Sequence, residues 1–425
     1  MAKLFPRVWE AFKSLLILLL AVSAFYLTYQ LLVGSGTISL SSPTASSPLS
    51  SAAPQGSVGV PRPIRMAVTT ANGRHGVQYD DDAVDELFDD LAPTLGEALS
   101  SADEPIGVSR AEWEQALQRP GIYFHFPGSV PLSLITRWLG GTRSEAPLTD
   151  EVSHVLLAED AAGSQVRLYY QTPKNGLYYS CTTALAFSGL LDSYIPNGAT
   201  FAFLLGEAYS NLPSDTLLLV DPPAPPIYLA SGGVDFGVSE SRLAFLNALN
   251  FNPQSNAVYP SADGWSVRDG NDSLRLTASG TVVYHSAGDN RYPVPENATR
   301  TDLVELTGEL VRNAVSPYCG SARVYLSGIT SSPDTVTLTY AYTLSGAELQ
   351  LGTDGWCAQF TVGNGQILEF TLHLRRYTPS AQTAFLLPEY QAMAAMDAMD
   401  LTGHELVLRY YDGGSGSVAP AWIAR

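Results

Sequence analysis

The sequence predicts an α+β protein in which a single N-terminal transmembrane helix is followed by a three-domain extracytoplasmic region. Three observations support this prediction. Residues 14–33 form a run without a charged side chain, residues 34–63 are rich in Ser and Pro, and the rest of the chain alternates between helical and strand-like patterns of apolar residues. In the last two domains a helix precedes an antiparallel sheet, and this common order suggests a duplication.

The apolar run 14–33 is long enough to cross a hydrocarbon core of about 30 Å as a helix. A cleaved signal peptide is the alternative because 22–24 resembles a cleavage site, although signal peptides have apolar runs of only about 7–15 residues. Three basic residues precede the run, namely Lys3, Arg7 and Lys13, and the next one is Arg62. Since positive charge stays inside, we predict a single-pass cell-membrane protein with residues 1–13 in the cytoplasm and the C-terminal region outside.

Three small residues of the predicted transmembrane helix lie on one side of it. Ala21, Ala24 and Thr28 follow the spacing i, i+3, i+7. Small residues let transmembrane helices approach closely, so we predict that these three form a transmembrane interaction face. An ordinary lipid-facing surface is the alternative, and the sequence leaves it open.

The region after the anchor has an unusual charge balance. Residues 34–63 have almost no charge and little apolar surface to bury, which predicts a flexible tether. The whole chain has a net charge of −18, and Lys174 is the single lysine beyond the anchor. Because binding to nucleic acid requires a basic surface, the composition excludes nucleic acid as a partner.

The folded part is predicted to contain three domains. A mixed α/β domain covers 64–220. Four prolines within residues 222–226 predict a stiff, extended connection, so a boundary is placed there. A middle α+β domain at 221–295 and a C-terminal α+β domain at 296–425 follow.

In the first domain, the segments "IRMAVTT", "GIYFHF", "SHVLLAED" and "QVRLYYQTPKNGLYYSCTTAL" are predicted strands, the last with a tight turn at Asn175-Gly176. Helical spacing predicts a long helix in "DDDAVDELFDDLAPTLGEALSS", which Pro93 should kink or divide. Ser109 and Glu112 form a capping box for a short helix.

In the later domains, "SESRLAFLNALNF", "TRTDLVELTGELVRNAV" and "EYQAMAAMDAMD" are predicted helices and "HELVLRYYDGG" is a final strand. The predicted hairpins "LRLTASGTVVYHS" and "AQFTVGNGQILEFTLHL" match at Gly280 and Gly365.

No motif in the sequence predicts catalysis, a cofactor or a metal site. The G-x-S-x-G, H-E-x-x-H and phosphate-loop patterns are absent. His125 and His373 alternate with apolar residues, which favours strand residues over metal ligands or general bases.

The acidic run 80–90 is interpreted as the start of a helix, with a calcium site or a docking face as the alternatives. The residues Cys181, Cys319 and Cys357 are interpreted as buried thiols, with a Cys319–Cys357 bridge left open.

Three stretches resemble the YycH family of Gram-positive regulators. The start "KSLLILLLAVSAFYLTYQLLV" and the middle stretch "SADGWSVRDGNDSLRLTASGTVVYHS" are similar to YycH proteins, and the end "LVLRYYDGGSGSVAPAWIAR" is similar to the related YycI proteins. The resemblance implies a protein that is not an enzyme and that regulates the WalK (YycG) sensor histidine kinase of cell-wall metabolism. It also implies contacts with that kinase through the transmembrane helix and with a YycI-like partner outside.

Two further classes of function stay open at this point. One is a cell-wall-associated enzyme or an inhibitor of such an enzyme, which would need converging carboxylates in a cleft of the first domain. The other is an assembly scaffold that binds a partner by adding a strand to the sheet edges of the later domains.

Overall fold

The computed structural model describes residues 61–78, 80–140, 148–187, 189–206, 209, 212–218, 224–252, 257–288, 290–399, 401 and 404–424. These residues belong to one compact unit, Ala53–Arg425. The predicted anchor with Ala21, Ala24 and Thr28 lies outside the described residues, as does the tether up to residue 60. Within the described ranges, no helix is long and apolar enough to cross a membrane.

The first segment, 64–220, is built on an antiparallel sheet of seven strands. These are β1 (Arg65–Thr69), β2 (His75–Gln78), β3 (Ile106–Val108), β4 (Gly121–Pro131), β5 (Glu151–Glu159), β6 (Val166–Thr172) and β7 (Leu177–Thr182). Their order is β2-β1-β4-β5-β6-β7-β3. Successive side chains alternate between the two faces, so that Met66 and Val68 enter one core and Ala67 enters another on the opposite face. The predicted turn between β6 and β7 is confirmed, with Gly176 at a φ of +66°.

Three helices accompany this sheet: α1 (Asp81–Ser101), α2 (Arg110–Leu117) and α3 (Leu132–Trp138). Of the two expected effects of Pro93, division of the long helix is wrong, because α1 is one helix across it, while a kink stays a prediction. Leu91 and Leu95 are fully buried on either side of Pro93, and burying such side chains favours the helix by more than the missing hydrogen bond disfavours it. On the other sheet face, α2 buries Trp113, and a two-stranded ribbon, β8 (Thr200–Phe201) and β9 (Leu217–Leu218), lies beside it.

The rest of the chain contributes a large sheet of eleven strands and a small one of three. The strands are β10 (Pro226–Gly232), β11 (Val258–Ser261), β12 (Gly264–Asp269), β13 (Asp272–Thr277), β14 (Thr281–His285), β15 (Arg323–Ser331), β16 (Thr335–Leu344), β17 (Ala347–Leu351), β18 (Ala358–Gly363), β19 (Gln366–His373), β20 (Arg375–Thr383), β21 (Leu406–Asp412), β22 (Ser417–Val418) and β23 (Pro420–Ala424). The large sheet has the order β11-β12-β13-β14-β19-β18-β16-β17-β21-β23, with β15 on β16, and the small sheet has the order β20-β10-β22.

The large sheet crosses the boundary predicted at residue 295, because β14 pairs with β19. The boundaries of the three domains stay predictions, and the structure adds that strands from both later segments share one sheet. The mixture of helices and strands expected from the sequence is confirmed.

The helices of this part are α4 (Ser239–Ala248), α5 (Arg300–Ala314) and α6 (Glu389–Ala398). The order of a helix followed by antiparallel strands is present in both later segments, while the duplication itself stays a prediction. All three cysteines are buried free thiols, so the bridge between Cys319 and Cys357 is not formed. Burial raises the pKa of Cys319 to about 11, which keeps it in the unreactive thiol form.

Candidate functional site

The segments 64–220 and 296–425 meet along a contact that we call the seam. At its centre β4 approaches β15, and both strands have an irregularity of register there. Gly128 on β4 has a φ of +71°. A Cβ at this position would lie 2.9 Å from Cα of Ser327 and 3.0 Å from the carbonyl oxygen of Leu326. The seam therefore has a backbone-to-backbone contact that glycine alone fits without strain.

Ion pairs lie along the same contact. Arg137 on α3 reaches Asp302 and Glu305 on α5, each at 3.0 Å, and Arg300 on α5 reaches Glu151 on β5 at 3.1 Å. The two arginine side chains are about half exposed, and pairs of this kind contribute about 0–1 kcal/mol each. They orient α5 against the first segment without making the contact rigid.

The acidic start of α1 forms a further part of the seam. Asp80 caps the helix by accepting hydrogen bonds from backbone N–H groups, as expected for a helix start. Beyond this role, Arg323 on β15 donates a hydrogen bond to Asp85 at 2.7 Å and lies 3.8 Å from Asp81 and 3.6 Å from Asp82. Burial raises the pKa of Asp81, and the guanidinium of Arg323 opposes that rise. Acidic residues of α1 thus hold a strand of the third segment.

Asp85 also binds the end of the tether. Arg62 lies 3.3 Å from the second oxygen of Asp85 and 2.9 Å from Asp89, and its guanidinium is 5.8 Å from the centre of the Phe88 ring. The 3.3 Å contact lacks hydrogen-bond geometry, so it is a charge contact alone. Asp85 therefore joins two arginines, Arg62 where the chain enters the folded part and Arg323 from the third segment.

Sequence reasoning found the acidic run but not its partners. The helix-start interpretation of residues 80–90 is confirmed for Asp80, and the structure adds a docking role for the carboxylates that follow it. No signal in the sequence could have found these partners, since 23 basic residues face 41 acidic ones and each arginine has many candidate partners. The proposed interaction face at Ala21, Ala24 and Thr28 stays a prediction. Among the described residues, no group of three His, Cys, Asp or Glu side chains is arranged to hold a metal ion.

The ends of the large sheet bear on the scaffold alternative. The two ends of its main strand order are β11, which contains Pro260, and β23, which begins with Pro420. Proline has no N–H to donate to an added strand, and its presence on edge strands opposes edge-to-edge pairing. These two edges are therefore poor templates for strand addition.

Comparison with known proteins supports the resemblance at the level of fold. No family model matches the chain, and no curated protein sequence matches it. The structure is similar to the crystal structure of YycH from Bacillus subtilis, with a TM-score of 0.55 and 12% sequence identity, over 87% of this chain and 95% of that chain. The chain therefore has a YycH-like fold, in agreement with the resemblance that the three sequence stretches indicate.

Proposed function

We propose that this chain is a membrane-anchored extracytoplasmic accessory protein that regulates a sensor histidine kinase of the WalK (YycG) type, which controls cell-wall metabolism. The observation that carries the proposal is the YycH-like fold, which extends over nearly the full length of both chains. The N-terminal apolar run and the absence of catalytic motifs from the sequence support it.

The regulation would act through the transmembrane helix. A helix that packs against the membrane helices of a kinase shifts the kinase between its signalling states only if it binds one state better than the other. The face of Ala21, Ala24 and Thr28 would make that contact, because small residues allow close packing. A YycI-like partner would bind the folded part outside the membrane.

The seam lies close to the point where the folded part begins. Arg62, near the end of the predicted tether 34–63, has the carboxylate partner Asp85, which it shares with Arg323.

An anchor exchange tests the proposal. Residues 14–33 are replaced by an unrelated single-span helix in a bacterium with a WalK-type kinase, and transcription from a kinase-dependent promoter is measured. We expect regulation to be lost although the folded part still reaches the outside. Regulation that survives the exchange would contradict the proposal, and a cell-wall defect corrected by the soluble folded part would favour the enzyme or inhibitor alternative.

Point variants refine the test of the helix face. Exchanging Ala21, Ala24 and Thr28 for Leu adds bulk on the predicted contact side and should abolish regulation. Leu19→Phe adds bulk on the opposite side, as 3.6 residues per turn place it there, and should leave regulation unchanged. Regulation that survives the changes at Ala21, Ala24 and Thr28 would assign the small-residue face to lipid.

A further inference from the structure

The outer side of α6 and the residues that lead into it form an exposed apolar patch. Four large apolar side chains within residues 385–399 are exposed: Phe385 by 96%, Met399 by 62%, and Leu387 and Tyr390 by 46% each. The two aromatic side chains alone therefore expose roughly 200–350 Å². The largest apolar patch of a soluble protein measures about 300–600 Å² and is often functional, so a patch of this size indicates a binding surface.

The side of α6 that faces outward also lacks exposed charge. The opposite side packs into an apolar cluster through Ala392, Met393 and Met396. With 3.6 residues per turn, the exposed residues share one side, which we call the outer face of α6: Tyr390, Gln391, Ala394, Ala395, Ala398 and Met399. Glu389, the one charged residue of α6 whose side chain the structure describes, is buried. A helix that faces water normally has charged residues on this side, so the outer face of α6 is suited to being covered.

The outer face of α6 is complementary to itself. Its six positions are symmetric about the midpoint between Ala394 and Ala395, and Met399 continues the helix because its N–H donates to the carbonyl of Ala395 at 3.2 Å. If two copies of the helix lie antiparallel with a two-fold axis at this midpoint, Tyr390 of each copy meets Met399 of the other, and the alanines meet in the middle. Sulfur–aromatic contacts are favourable, and small side chains let two helices approach to about 8 Å.

We infer that the outer face of α6 binds the same face of a second copy of this chain, with the two helices antiparallel across a two-fold axis. Such an isologous contact uses one patch on both copies. A stable interface buries about 800 Å² on each partner, and the apolar patch supplies the centre of such an interface. The dimer does not depend on the proposed function.

Charge favours this face over the rest of the surface as the place of contact. The chain has a net charge of −18, so two copies repel each other on the whole. A face without exposed charge brings them together at the lowest electrostatic cost. Because the attraction is apolar and the charges oppose it, salt should strengthen the dimer by screening the repulsion. A contact made of ion pairs would weaken in salt instead.

Cysteine cross-linking of the full-length protein in detergent micelles tests the arrangement. The native cysteines are buried free thiols, so a mild oxidant should link only cysteines introduced on the outer face. Ala394→Cys lies beside the axis and should form a disulfide-linked dimer by itself. Gln391→Cys should not, because the two copies of position 391 are offset by roughly 10 Å along the helices, beyond the reach of a disulfide.

A mixture of two variants distinguishes antiparallel from parallel helices. In the antiparallel dimer, position 391 of one copy faces position 398 of the other. An equimolar mixture of Gln391→Cys and Ala398→Cys should therefore give about tenfold more cross-linked dimer than either variant alone, because only the mixed pair has both sulfurs within reach.

Sedimentation equilibrium of the same protein measures the strength of association. Ala395→Glu places two like charges next to the axis and should weaken the dimer by about tenfold or more. Ala111→Glu adds the same charge at an exposed position of α2 and should leave the dissociation constant unchanged. Added sodium chloride should strengthen the wild-type dimer.

Three results would overturn the inference. A monomeric wild-type protein would leave the patch to a different protein. Equal cross-linking of Gln391→Cys alone and in the mixture would contradict the antiparallel arrangement. Association that Ala395→Glu leaves intact, or that salt weakens, would place the contact elsewhere on the chain.

Discussion

Replacing Gly128 by Ala should weaken the seam by an amount that can be worked out from its surroundings. Two effects add at this position. An L-residue at a φ of +71° costs about 1–2 kcal/mol because its Cβ approaches the following carbonyl oxygen. The new Cβ would also lie 2.9 Å from Cα of Ser327 and 3.0 Å from the carbonyl oxygen of Leu326, and overpacking of this kind costs about 1–3 kcal/mol. The expected loss of stability is therefore about 2–5 kcal/mol.

Gly176→Ala is the matched control for this change. Gly176 lies in the hairpin turn between β6 and β7 at a φ of +66°, and an added Cβ there meets no atom within 4 Å. The variant Gly176→Ala shares with Gly128→Ala the backbone strain and the loss of unfolded-state entropy, but its added Cβ makes no contact across the seam. The difference between the two variants, about 1–3 kcal/mol, measures the close approach of β4 to β15.

Urea unfolding of the full-length protein in detergent, followed by tryptophan fluorescence, gives the free energies of unfolding for both variants and the wild type. The midpoint of Gly128→Ala should lie clearly below that of Gly176→Ala. Equal midpoints would refute the reasoning, because they would mean that β15 moves away from position 128 at no cost. The same two variants in the promoter assay would then relate the strength of the seam to regulation.

Two further predictions concern carboxylates. Asp85→Asn removes the charge shared by two arginines and should lower the free energy of unfolding by about 1–2 kcal/mol. The control Asp90→Asn, on the exposed side of α1, should change the free energy of unfolding by less than about 0.5 kcal/mol. Urea unfolding measures both. Asp412 is fully buried, and although burial opposes its charge, hydrogen bonds from Arg375, Gly414 and Tyr377 outweigh burial and lower its pKa. Asp412→Asn should therefore cost about 3 kcal/mol near neutral pH. Because the pKa of Asp412 is lower in the folded state than in the unfolded one, its charge stabilises the fold above the unfolded pKa of about 4, and this stabilisation is lost as the pH falls. Asp412→Asn lacks this charge, so the variant should lose less stability than the wild type on acidification. Thermal unfolding at several pH values would measure the difference.

Much of the local structure could be predicted because it depends on neighbours in the sequence. The helix of residues 300–314 follows from a 3.6-residue apolar period, and the structure contains it. The structure adds a capping box between Thr299 and Asp302, which was not predicted. The continuous course of α1 past Pro93 could not be predicted, because it depends on burial against a sheet formed by distant residues.

The seam lay beyond sequence reasoning for a related physical reason. The contact of Arg323 with Asp85 joins residues 238 positions apart, and no local pattern encodes which arginine an acidic helix will meet. The same holds for Asp215, whose sequence surroundings "NLPSDT" give no sign of His154 on β5, whose Nδ1 lies 2.8 Å from its carboxylate. His125 was expected to be a strand residue, and it is one; its register partner on β5 is His154.

The energies of these contacts decide which of them a membrane signal could change. Coupling between distant sites in proteins typically amounts to about 1–3 kcal/mol. Breaking a buried network such as that of Asp412 and Arg375 costs about 3–5 kcal/mol, so a signal of ordinary strength would leave it intact. The part-exposed pairs of the seam contribute about 0–1 kcal/mol each, and a few of them together fall within the range of coupling. If the anchor acts on the folded part, the contacts of Arg62 and Arg323 with Asp85 are therefore the ones whose populations it would shift.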